Sequence, residues 1–355
     1  DGSDGGDGGA GGEGAGPAPG RCLVVGTPQG LYARARRGAP GRLVVTSCAA
    51  PAGVGSRLDS PLEPESLSRE ARQGGFFSYV CGTAARLATD FDLGGRDDAA
   101  GLELDVHRVT LPVKVGLSSS AAVCVLVARA FSRIFSLRLS TRGEMEYAYQ
   151  GERLTPSLCG RMDQACAFGA GRAVSLRFDG DGPMEVRALR VGAPLHLVLV
   201  GLRGAKDTVE ILRALHAAYP TPCSEEHRRL HELLGPINEV LQTRAEALIS
   251  TGDVRALGAV LTEAQDEFDS RAGPLCPGQL GAVGSPRLHA LLRRPELEGR
   301  VWGGKGVGSQ GDGCAQLLCC DAEAQDELCR VLADEFDCFP MTIEPSGEVA
   351  PADAI

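Results

Sequence analysis

Three consecutive hydroxyls, Ser118, Ser119 and Ser120, close the run Pro112-Val113-Lys114-Val115-Gly116-Leu117-Ser118-Ser119-Ser120-Ala121-Ala122. Residues 121–135 follow it and are apolar on nearly every face, so they read as a buried helix. The serines then occupy the N-cap and first turn of that helix. Unpaired N–H groups and the positive end of the helix dipole favour anions there, phosphates above all. Gly116 would let the backbone approach such a ligand closely. Plain capping of a core helix accounts for the serines equally well. No Gly-Lys-Ser/Thr follows the glycine, so the run is not a Walker A loop.

A second group of candidates lies in Tyr149-Gln150-Gly151-Glu152-Arg153 and, further on, Cys159-Gly160-Arg161-Met162-Asp163-Gln164. Thr141 and Glu144 have capping-box spacing and open a helix. On it Met145, Ala148, Tyr149 and Glu152 share a face. Glu152 is therefore aimed inward, where a carboxylate needs a metal or a base as partner. Asp163 precedes a short apolar stretch and could orient and deprotonate an alcohol. The plainer alternatives are a Glu152 that reaches water at a helix end and an Asp163 that caps a turn.

The third candidate is Trp302-Gly303-Gly304-Lys305-Gly306-Val307-Gly308-Ser309-Gln310-Gly311-Asp312-Gly313-Cys314. Six glycines in eleven residues exceed the needs of one turn. Such a loop lets backbone N–H groups converge on a phosphate or a tightly held ligand; a flexible hairpin is the alternative. Of 36 basic residues only three are lysines, Lys114, Lys206 and Lys305. Two of them fall inside these motifs, where a compact ammonium has uses that a guanidinium lacks.

These residues need a scaffold. Residues 1–20 are Gly, Ala and Asp with almost no apolar content, and are expected to be a disordered tail. Strands are expected near 21–25, 31–36, 42–47, 102–107 and 173–178, and a helix over 74–87. Residues 195–202 read as a fully buried strand, with a domain boundary just before it, near 190. Helices are expected at 207–218, 225–247, 253–269, 286–294 and 322–335, and strands at 315–320 and 340–344. Residues 345–355 read as a frayed tail. Strands and helices interleaved in this order suit an α+β fold with helices on one face of an antiparallel sheet.

Composition sets limits. A net charge of −10 argues against nucleic acid or an anionic membrane as the main partner. No apolar run is long enough to span a bilayer, and the acidic, Gly-rich N-terminus has no signal-peptide pattern. The 13 cysteines are scattered, without a CxxC pair, which suggests reduced thiols and a cytoplasmic protein. In the vicinal pair Cys319-Cys320, core packing is the expected role.

Taken in order, the three motifs resemble the GHMP kinases, the superfamily of galactokinase, homoserine kinase, mevalonate kinase and phosphomevalonate kinase. Residues 112–122 are similar to its second motif, Pro-x-x-x-Gly-Leu-(Gly/Ser)-Ser-Ser-Ala. Gln150-Gly151-Glu152-Arg153, and the step from Glu152 to Asp163, look like mevalonate kinase. Gly160-Arg161-Met162-Asp163-Gln164 is closer to the galactokinase Gly-x-Met-Asp-Gln. Residues 303–315 are similar to the third, Gly-rich motif. The resemblance covers about 21–344.

It implies an α+β, two-domain GHMP kinase fold: a ribosomal-protein-S5-like, ATP-binding domain over 21–190 and a ferredoxin-like domain over 191–344. It implies ATP and Mg²⁺ as cofactors and a small-molecule alcohol as the other partner. Lys114, Gly116, Leu117, Ser118, Ser119, Ser120, Ala121, Gly306 and Gly308 would hold ATP. Ser120 and Glu152 would hold the metal, and Asp163 would be the base. Gly160, Gln164, Lys206, Lys305 and Gly311 would face the substrate.

The family's first motif has only a partial counterpart. Pro40-Gly41-Arg42 imitates its start, but Gly-Glu-His does not follow, so 42–47 reads as an ordinary later strand. The first strand and substrate loop are expected to be missing, through truncation, a misassigned start or real loss. The reading is an ATP-dependent kinase of a sugar or related metabolite. A non-catalytic or decayed nucleotide-binding homologue and a mevalonate-type kinase are the alternatives.

Overall fold

The computed structural model describes residues 20–93, 100–111, 118–157, 159–178 and 184–346. The first half builds two sheets. Strands β1 (Gly20–Val25), β2 (Leu31–Gly38), β3 (Arg42–Ser47) and β4 (Arg57–Pro61) precede the helices α1 (Pro64–Gln73) and α2 (Ser78–Asp90). Then come β5 (Gly101–Val109), α3 (Ser119–Ile134), α4 (Thr141–Glu152), a 3₁₀ turn at Asp163–Phe168, β6 (Ala173–Phe178) and β7 (Glu185–Leu189).

One sheet has the order β2-β5-β3-β4, with β3 and β5 parallel. The period-two pattern of β5 explains its seat. Leu102, Leu104 and Val106 enter the core with Leu43 and Val45, while Glu103, Asp105 and His107 face outward. Helices α1, α2 and α3 cover the inner face, around Phe131 and Leu87. The second sheet, β1-β6-β7, is antiparallel.

The second half runs β8 (Leu195–Gly201), α5 (Thr208–His216), α6 (Glu225–Glu232), α7 (Asn238–Thr251), α8 (Val254–Arg271), α9 (Gly281–Gly284), α10 (Pro286–Leu292), β9 (Val301–Gly306), β10 (Cys314–Cys319), α11 (Ala322–Leu332) and β11 (Asp337–Ile343). Its antiparallel sheet has the order β11-β8-β10-β9. Numbered within this half, that is 4-1-3-2, the order of a split β-α-β, or ferredoxin-like, unit. Leu197, Leu199, Leu318 and Met341 pack beneath α7 and α8 on one face. Val198, Val200, Leu317 and Leu328 form the core on the other.

A charged cluster fastens the halves. Glu246 on α7 is buried and takes Arg21 of β1, the Ser175 hydroxyl of β6 and Arg187 of β7. Leu23, Ala173 and Leu189 extend the apolar seam beside it.

Several expectations are corrected. The helix expected over 74–87 begins only at Ser78, because Gly74 and Gly75 both adopt positive φ, 80° and 95°. A separate helix, α1, precedes them. Ser140, not Thr141, caps α4, its side chain accepting from the Gly143 N–H. The helix expected over 225–247 is broken by a π-turn at Leu233–Ile237 that holds Pro236. The chain is still docked at Ser346, which bonds Val191 through both backbone and side chain. Residues 1–19 and the turn expected at 179–182 lie outside the described residues.

Candidate active site

Glu152 ends α4 with its side chain turned into the protein, and the residue is 1% exposed. Close helix packing puts it there. A Cβ on Gly151 would lie 2.4 Å from the Thr83 Cα of α2, so only glycine lets α4 approach that near. The Thr155 hydroxyl donates to the Glu152 carbonyl at 2.6 Å and closes the helix end.

Four side chains meet the two carboxylates. Gln164 Nε2 donates to Glu152 Oε2 at 2.9 Å. The hydroxyl of Ser120, in the first turn of α3, and the Cys159 thiol also bond that carboxylate. Ser118 bonds the carboxylate of Asp163, the first residue of the 3₁₀ turn. Burial pushes Glu152 above the usual carboxylate range, and its hydrogen bonds partly restore it. Burial likewise raises Asp163, opposed by Ser118. The thiols of Cys22, Cys159 and Cys166 are each pushed up to about 12 by burial, which leaves them unreactive near neutral pH.

Arg129, the lone charged residue in the apolar body of α3, holds the elements in place. Its guanidinium donates to Glu144 of α4 at 2.6 Å and to the Ala167 carbonyl at 2.9 Å. It therefore ties the helix that begins beside Ser120, the helix that ends at Glu152 and the turn that starts at Asp163.

The other expected residues sit as follows. Ser119 opens α3, and Ala121 is fully buried in its first turn. Gly160 is exposed with open space around it. In the second half, the Lys206 stem lies across the Gly-rich loop: a Cβ on Gly313 would come within 2.7 Å of its Cδ. Burial holds the Lys206 ammonium below its usual range. Lys305 is held at about 8 by burial, and its Nζ donates to the Gly306 carbonyl at 2.9 Å. Gly308 and Gly311 take positive φ, 60° and 72°. Among the described residues, no hydrogen bond or ion pair joins Lys206 or Lys305 to the serine–carboxylate cluster. Lys114, Gly116 and Leu117 lie outside the described residues.

Cys159 and Arg129 were not singled out from the sequence. Cys159 adjoins the Gly160 motif, and Arg129 is conspicuous as a charge within an apolar helix; those signals could have found them.

Fold and site together define a two-domain α+β protein with a hydroxyl-lined helix start set against two buried carboxylates. The GHMP kinases N terminal domain family matches residues 78–171, the segment that carries this cluster. The mevalonate kinase of Aeropyrum pernix is 25% identical over 238 residues, 67% of each chain. Two solved structures share the fold. L. major mevalonate kinase in complex with R-mevalonate has a TM-score of 0.66 and 15% identity, covering 93% of this chain and 91% of that one. Lactococcus lactis galactokinase complexed with galactose has a TM-score of 0.67 and 16% identity, covering 93% of each. The chain belongs to the GHMP kinase superfamily. No helix among the described residues is long and apolar enough to cross a membrane.

Proposed function

We propose that this protein is an ATP-dependent kinase that phosphorylates a hydroxyl of a sugar or related small metabolite. The observation that carries the reading is the meeting of Ser120, Glu152 and Gln164 beside Asp163. Phosphoryl transfer is largely a matter of positioning and charge neutralisation, which such a cluster can supply.

The residues suit Mg²⁺. Glu152 is a desolvated carboxylate with no cation bonded to it among the described residues, and Gln164 Oε1 is a buried acceptor without a partner. Mg²⁺ keeps several waters and needs few protein oxygens, so Ser120 and Glu152 suffice, with Gln164 accepting from a bound water. When bound, the ion would neutralise charge on the nucleotide phosphates. Ser118, Ser119 and Ser120 present hydroxyls and backbone N–H groups at the start of a 16-residue helix, a fitting cradle for those phosphates. Asp163 would accept or orient the proton of the acceptor hydroxyl. Gly306, Gly308 and Gly311 would bring backbone N–H groups toward the ligands. Lys206, a cation without a carboxylate partner among the described residues, would meet an anionic group.

Met162-Asp163-Gln164 supports a sugar acceptor, by its likeness to the galactokinase pattern. Mevalonate is the second reading, supported by the identity to the Aeropyrum pernix enzyme. The test is release of ADP from Mg-ATP over hexoses, uronic acids, heptoses and mevalonate. Turnover on a sugar is expected. Turnover on mevalonate alone would overturn the sugar assignment. A thermal shift with Mg-ATP but no turnover on any acceptor would favour a non-catalytic binder.

A further inference from the structure

Ser118 stands at the N-cap of α3 but does not act as a cap. Its hydroxyl makes no bond to the helix N–H groups, and its backbone is left-handed, φ 52° and ψ 35°. Capping residues elsewhere in the chain behave differently. Ser140, Asp207, Ser224, Asp253 and Asp321 all keep negative φ, and each accepts from an N–H of its own helix. A left-handed conformation strains any residue with a Cβ, and glycine would hold it freely. Serine here thus forgoes the cap and takes on strain.

The hydroxyl goes instead to Asp163. Among the described residues no Arg, Lys or His bonds that carboxylate. Ser118 is its one described side-chain partner, reaching it from the start of a different element. Strain kept at such a position is a mark of a functional constraint.

We propose that Ser118 is a positioning residue for Asp163: its left-handed backbone aims the hydroxyl at the carboxylate and fixes the rotamer in which Asp163 meets the acceptor. The inference rests on the reading of Asp163 as the base. Phosphate cradling by this turn would then fall to backbone N–H groups, which any residue at 118 retains.

The test compares Ser118→Gly with Ser118→Ala. Both remove the hydroxyl, but only glycine relieves the backbone. The proposal expects kcat to fall about tenfold or more in both variants, the size of one hydrogen bond to a charged group. Affinity for Mg-ATP should stay within about threefold, because the backbone donors remain. The acid limb of the pH–rate profile should move to higher pH in both, since a bond that favoured the charged carboxylate is gone. Melting temperature should separate the two, with S118G at or above wild type and S118A below S118G. A purely structural serine would make activity follow stability, and S118G would then be the more active variant; that result overturns the proposal.

A readout independent of turnover is the carboxyl ¹³C titration of Asp163, assigned by its absence in Asp163→Asn. It should move upward in both serine variants even if no acceptor is phosphorylated. An unmoved titration in both, or a loss confined to Mg-ATP affinity, would place the hydroxyl on the phosphates and sink the idea. Absence of turnover in wild type with a shifted titration would instead fault the kinase reading alone.

Discussion

Asp163 and Glu152 are costly residues for the fold, and their cost has a testable sign. Burial raises the carboxyl of Asp163 in the folded state above its unfolded value. A raised carboxylate favours folding while it is protonated. That contribution is full below the unfolded value, about 4, and is lost as pH rises through the folded one. Asp163→Asn should therefore melt above wild type at pH 7–8, and the gap should shrink as pH falls toward 4. Thermal melts over that range check it; a variant less stable than wild type at pH 8 would show that Asp163 has a stabilising partner instead.

At this scale the sequence was informative where chemistry depends on neighbours in the chain. Glu152 was expected to point inward from its place on the apolar face of α4, and it does. The bonds from Gln164 and Ser120 to Glu152 were not legible, because they join residues brought together only by packing. The same holds for Arg129, whose partners Glu144 and Ala167 are 15 and 38 positions away.

Between elements, the approach of α2 and α4 decides where Glu152 stands. Gly151→Ala would place a methyl against the Thr83 backbone, which cannot yield as a flexible side chain could. Overpacking of this kind costs about 1–3 kcal/mol. A displacement of about 1 Å at the carboxylate is enough to lower kcat about a hundredfold. Steady-state kinetics with a urea melt would show both; near-normal kcat would mean that the helix shift does not reach the site.

The joint between the halves makes a second prediction. Glu246→Ala would leave Arg21, whose side chain is 11% exposed, without its buried carboxylate. Loss of one partner of a buried pair costs about 3 kcal/mol. Urea unfolding should register that loss, while kcat at 20 °C should change little, since no site residue touches the cluster. Equal stability would mean that solvent already satisfies Arg21.

Element positions were largely legible, whereas their ends and pairings were not. The apolar run of α3 and the alternation of β5 are local signals. Gly74 and Gly75 end α1 by backbone geometry, and a helical reading of 74–87 passed over them. The parallel pairing of β3 with β5 joins residues some 59 positions apart, for instance Thr46 with Asp105, and has no local signature.

At the scale of the whole molecule, the chain joins a hydroxyl-lined helix start and two carboxylates in its first half to a ferredoxin-like second half that carries the Gly-rich loop and the lysines. The central claim is that Asp163 serves the chemistry and not the binding of nucleotide. The most direct measurement is turnover and Mg-ATP affinity of Asp163→Ala beside wild type, with the acceptor found in the screen. The expected result is a loss of kcat of at least about a thousandfold, with Mg-ATP affinity within several-fold. Full activity in that variant would contradict the account.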